Sequence, residues 1–138
     1  MSKSEALEFL AEGTRTGKLA TVRADGSPHV VPIWFLLDGE DLVFTTGAET
    51  VKGKALRRDG RAAICVDLER PPYAYVMVAG RVEISDDPGE LLSWATRLAA
   101  RYEGEERAAE VGRRNAVPGE VLVRLRPSRI VAIDYVDD

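Results

Sequence analysis

The sequence predicts a mainly β, α+β fold: a six-stranded antiparallel barrel with short helices set between the strands. Apolar and polar residues alternate with period two through most segments from residue 18 to residue 85. Two Asp-Gly turns, Asp25-Gly26 and Asp38-Gly39, sit where hairpins need them. A meander of this kind leaves open edges, and closure into a barrel removes them. At 138 residues, with no internal repeat or low-complexity tract, the chain is expected to form one domain, 1–138.

Each element follows from local chemistry. Ser2 followed by Glu5 makes a capping box for a first helix that carries Leu7, Phe9, Leu10 and Ala11 and ends at Gly13. Lys18 to Arg23 reads as a strand, Ala24 to Ser27 as a turn, Pro28 to Leu37 as a strand, and Asp41 to Thr46 as a third strand after the Asp38-Gly39-Glu40 turn. A short helix covers Thr50 to Asp59, and Arg61 to Asp67 returns to strand. Pro71-Pro72 breaks that ladder. Tyr73 to Ser85 is a long strand with Gly80 as a bulge or close-packing point. Asp86-Asp87-Pro88 starts a helix with one apolar face, Leu91, Leu92, Ala95, Leu98, Ala99 and Tyr102. Residues 103–119 read as a short helix plus an exposed connection, and Glu120 to Tyr135 as a final strand or strand pair.

Lys52 is the residue that packing does not explain. A helical reading at about 100° per residue puts Val51, Ala55 and Leu56 on one face with Lys52 in its middle, while Lys54, Arg57, Arg58 and Arg61 form a separate outward stripe. A cation in the first turn, on the packed side, has the helix dipole against it and little water around it. An anion should complete it. Free amides at the helix start would help to hold a phosphate, and Thr50 adds a hydroxyl. The same spacing also allows Lys52 to extend to solvent or to pair with Glu49.

Composition narrows the alternatives. The net charge of −4 gives no basic field for nucleic acid, and the clustered arginines do not amount to a DNA-binding surface. One cysteine, Cys65, allows neither an intrachain disulfide nor a thiolate metal cluster, and it reads as a buried small hydrophobe. No apolar signal core or membrane-length stretch is visible, so a cytoplasmic protein with no membrane partner is expected. The lone histidine, His29, has no second histidine for a metal and no Gly-x-Ser-x-Gly element for a triad. No Gly-x-Gly-x-x-Gly or P-loop is present either. No catalytic side chain or metal ligand is assigned, so a bound cofactor is expected to carry any reaction.

The run from Leu19 to Phe35, then Leu42-Val43-Phe44-Thr45-Thr46, then Lys52-x-Lys54-x-Leu56-Arg57-Arg58-Asp59 resembles the pyridoxamine-phosphate-oxidase-like split-barrel flavoproteins. It looks most like the branch that uses the deazaflavin coenzyme F420. The likeness continues through Arg61 to Asp67 and Val76 to Glu83, and is looser in the C-terminal half. The resemblance implies a split β-barrel homodimer with two cofactor sites at the subunit interface. It places Val31, Pro32, Ile33 and Trp34 beside the flavin ring, Thr45 and Thr46 along the ring and ribityl side, and Thr50 and Lys52 on the phosphate. Lys54 would reinforce the field, and Tyr75 would touch the cofactor of the other subunit. Read as packing alone, Trp34, Phe35, Phe44 and Tyr75 are core or interface aromatics.

Departures from the pattern matter too. Ala55 stands where many relatives carry asparagine, and the chain has no C-terminal Arg-x-His segment, which disfavours vitamin B6 oxidation. The function implied is hydride transfer between reduced coenzyme F420 and an electron-poor small-molecule substrate, with the outer basic stripe suited to a polyglutamate tail. The alternatives are an FMN-binding reductase or oxidase on the same barrel, and a non-catalytic flavin or haem-related binding module.

Overall fold

A computed structural model describes residues 1–135, so residues 136–138 of the expected domain lie outside the described residues. Helix α1 (Lys3–Ala11) starts on the expected capping box: the Glu5 amide donates to Ser2 Oγ at 3.1 Å and the Ser2 amide donates to Glu5 Oε1 at 2.9 Å. It turns Ala6 and Leu10 into the core. Strands β1 (Gly17–Val22) and β2 (Pro28–Ile33) form the first hairpin, where Gly26 takes the left-handed φ of 87° that the turn requires.

The stretch Pro28 to Leu37, expected as one strand, is two. β2 stops at Ile33, and β3 (Leu36–Asp38) begins only after Trp34 and Phe35 have left the ladder. The cause is helix α3 (Pro88–Glu103). From its last turn Arg101 donates to the Phe35 carbonyl at 2.7 Å, and the Phe35 amide donates to the Tyr102 hydroxyl at 3.3 Å. Side chains satisfy the backbone that a neighbouring strand would otherwise have to satisfy.

Strand β4 (Asp41–Gly47), helix α2 (Val51–Asp59) and strand β5 (Arg61–Asp67) follow as expected. The next strand, β6 (Tyr75–Ser85), starts two residues later than expected, because Tyr73 has φ 58° and its amide donates to the Arg70 carbonyl at 2.7 Å in a turn. Asp87 caps α3 by accepting the Glu90 amide at 3.2 Å. Residues 103–119 contain a 3-10 turn and helix α4 (Ala108–Asn115), whose Ala108, Val111 and Gly112 are buried. The chain closes with one strand, β7 (Glu120–Ile133).

Among the described residues seven strands, not six, make one antiparallel sheet in the order β2-β1-β5-β6-β7-β4-β3, the division of residues 28–37 supplying the additional one. Its edge strands β2 and β3 are separated in the chain only by Trp34 and Phe35. The sheet therefore curls until β2 and β3 come together at Ile33 and Leu36, but no ladder joins them, so the barrel expected to close is split along this seam. Gly80 lies at the register shift between β6 and β7, and a Cβ there would collide with the Arg126 carbonyl oxygen.

Leu19, Phe35, Phe44, Ile64, Val78 and Leu125 fill the barrel interior and are wholly buried. On the outside, Val43 and Leu122 pack against Leu91 and Trp94 of α3. That contact lays α3 across the outer face of β4 and β7. No helix among the described residues is long and apolar enough to cross a membrane.

Candidate cofactor site

The start of α2 is held by its cap. Thr50 Oγ1 accepts the Gly53 amide at 3.1 Å and donates its own proton to the Gly47 carbonyl at 2.7 Å. With that proton committed, the 3.3 Å contact to Thr46 has Thr46 as donor. Gly53 has no room for a side chain, since a Cβ would collide with the Gly47 carbonyl oxygen. Ala55 and Leu56 face the protein as expected, but Val51 does not: it is 49% exposed, and buried Gly53 takes the inward place. The cap at Thr50 sets this rotation by drawing the Gly53 amide toward the β4–α2 turn.

Lys52 is half-buried beside this turn and opens into a cavity of about 310 Å³. Pro32, Ile33, Trp34 and Thr45 line it with Lys52, so it gathers five of the ten expected site residues. Ala95 and Leu98 of α3, Asn115 of α4 and Glu120 of β7 complete the wall. The topology explains the meeting. Thr45 pairs with Leu122 beneath α3, Glu120 pairs with Gly47, and Trp34 projects from the seam between β2 and β3.

Glu49 takes Lys54 as its partner at 3.7 Å, which leaves Lys52 without an ion pair within 4 Å among the described residues. Burial pushes the Glu120 carboxyl above the usual carboxylate range, and the Lys52 charge opposes that shift. The two are within Coulombic reach without forming a pair.

The other expected residues lie elsewhere. Val31 packs on the barrel core. Thr46, 3% exposed, faces the interior on the opposite side of β4 from Thr45, because successive strand residues alternate. Thr50 is the helix cap, and Lys54 is on the solvent side with Glu49. Tyr75 does not line the cavity; it pairs with Asp67 and Ile133 at the end of β6 away from Ser85. In the outer stripe Arg61 is held by Asp59 at 2.7 Å, and Arg58 donates to the Val22 carbonyl at 2.6 Å. Sequence reasoning missed the cavity roles of Ala95, Leu98, Asn115 and Glu120. The first two read as ordinary helix core, and nothing in the local sequence of the other two marks a site.

Comparison with known proteins places this geometry in a family. The family described as pyridoxamine 5'-phosphate oxidase matches residues 3–134. The F420H(2)-dependent biliverdin reductase of Mycobacterium tuberculosis (strain CDC 1551 / Oshkosh) is 33% identical over 101 residues, 71% of this chain and 70% of that protein. Among solved structures, the conserved hypothetical protein Rv2991 from Mycobacterium tuberculosis superposes with a TM-score of 0.83 at 28% identity, covering 97% of this chain and 85% of that one. A structure named F420 Reductase gives a TM-score of 0.70 at 32% identity over 90% of this chain and 94% of that one. With its split barrel, its element order and a match over nearly its whole length, the chain belongs to the pyridoxamine 5'-phosphate oxidase family.

Proposed function

We propose that the protein is an oxidoreductase that uses coenzyme F420 and reduces an electron-poor small organic molecule. The observation that carries this reading is Lys52, an ammonium with no anion within 4 Å among the described residues, opening into a cavity walled by Pro32, Ile33, Trp34 and Leu98. A half-buried cation in such surroundings is satisfied when a ligand's anionic group completes it. The names of two relatives over 30% identical support the deazaflavin.

The residues present fit a flat ring joined to a phosphate. Trp34, Pro32 and Ile33 would hold the ring, Thr45 its polar side, and Lys52 the phosphate, with Thr50 acting through the helix start that it caps. When bound, the reduced deazaflavin supplies a hydride. The chain's own part is to orient the reactants and to exclude water, and orientation alone accounts for much of a rate. No cavity side chain is assigned an acid or base role. A homodimer completes the proposal: the chain's own Tyr75 is not on the wall of this cavity, and a second copy would bring its Tyr75 there.

Turnover tests the reading. Protein mixed anaerobically with reduced F420 and a panel of quinones, enones, nitro compounds and tetrapyrroles should reoxidise the cofactor in the presence of at least one acceptor. Tight binding with no acceptor-dependent reoxidation would leave a binding module instead of an enzyme.

A further inference from the structure

Glu120 opens β7 directly opposite Gly47. Its backbone is fixed on both sides: the Glu120 amide donates to the Val117 carbonyl at 3.0 Å, and the Gly119 carbonyl accepts the Ala48 amide at 2.8 Å. Its Oε2 lies 3.0 Å from the place a Gly47 Cβ would occupy, at the corner where α2 begins. It therefore shares one cavity with Lys52 and forms no ion pair with it. Among the described residues, Lys52 is the only other charged group lining this cavity. The rest of the wall, from β2, β4, α3 and α4, is Pro32, Ile33, Trp34, Thr45, Ala95, Leu98 and Asn115, and none of these titrates near neutrality.

A carboxylate set there opposes the anion that the ammonium attracts. Resting on the reading above, we propose that Glu120 is a specificity residue: its negative charge lets the cavity hold a singly charged phosphodiester, as in the deazaflavin, and disfavours a doubly charged phosphomonoester, as in FMN. A phosphomonoester approaches two negative charges at neutral pH because its second ionisation falls near pH 6. Coulomb energy scales with the product of charges, so removing the Glu120 charge should raise the affinity of a dianion by the square of the factor gained by a monoanion.

The cleanest probes are FMN and its phosphate monomethyl ester, which carry the same ring and differ by one charge. Riboflavin serves as the uncharged control. Dissociation constants are measured at pH 7.5 and low salt for native protein, Glu120→Gln and Glu120→Asp. Native protein and Glu120→Asp should bind the ester at least as tightly as FMN, and Glu120→Gln should move the ratio about tenfold toward FMN with riboflavin unchanged. An unchanged ratio in Glu120→Gln overturns the proposal, and if Lys52→Ala still weakens all phosphate ligands the cofactor reading survives. Native protein that binds neither F420 nor either form of FMN overturns both. Should Glu120→Gln fail to fold, native protein that prefers FMN over its ester tenfold or more also overturns the proposal, because a lone lysine would behave that way.

Discussion

The indole of Trp34 stacks on the phenol ring of Tyr102, with centroids 5.1 Å apart and 5° between the planes. One wall of the cavity is thus set by a residue at the far end of α3. The Tyr102 hydroxyl donates to the Arg15 carbonyl at 3.0 Å, so α3 ties the start of the barrel to its seam. Tyr102→Phe keeps the stack and loses the hydroxyl, and it should cost about 1 kcal/mol in a urea titration without changing cofactor affinity. Tyr102→Ala removes the support of Trp34, and both stability and affinity should fall.

Arg101 makes a second tie. Its guanidinium donates to the carbonyls of Phe35 at 2.7 Å, Leu10 at 2.9 Å and Gly13 at 3.0 Å. Arg101→Ala leaves three acceptors without that donor and should cost about 2–4 kcal/mol by denaturant unfolding. Arg101→Lys should recover less than half, because a single ammonium does not reproduce the planar fork.

Gly53→Ala tests the position of α2. A methyl group there meets the Gly47 carbonyl, so the first turn must move and take Lys52 with it. The variant should lose about 1–3 kcal/mol of stability and bind phosphate-bearing ligands more weakly, with riboflavin binding less affected. Equal losses for riboflavin and FMN would show that the whole cavity has deformed.

Much of the fold was legible in the sequence because its signals are local. The Ser2–Glu5 box, the Asp-Gly turns and the Gly80 bulge each rest on neighbouring residues, and each stands where expected. The break at Trp34-Phe35 was not legible, since its cause lies in Arg101 and Tyr102, more than sixty residues away. The placement of Val51 failed for a different reason. Periodicity gives the spacing of a helix face but not its rotation, which the Thr50 cap fixes. In the site, Lys52 stood out by its charge, while Glu120 acquires its position only from cross-strand register with Gly47.

Glu120 also has a pH signature. Burial raises its folded-state pKa above the ordinary 4.5, with the Lys52 charge opposing. Its contribution to stability is therefore fully present below the unfolded value and is lost as pH rises through the folded one. Glu120→Gln should raise the melting temperature at pH 7 and leave it nearly unchanged at pH 4. A native–variant gap that does not vary between those pH values would contradict the assignment.

Whether the Lys52 ammonium holds a ligand's phosphate is read from an equilibrium titration of native protein and Lys52→Ala with F420, FMN and riboflavin. Affinity for F420 and FMN should fall at least about tenfold in the variant, some 1.4 kcal/mol, with little change for riboflavin. Unchanged F420 affinity in a folded Lys52→Ala protein would contradict that role.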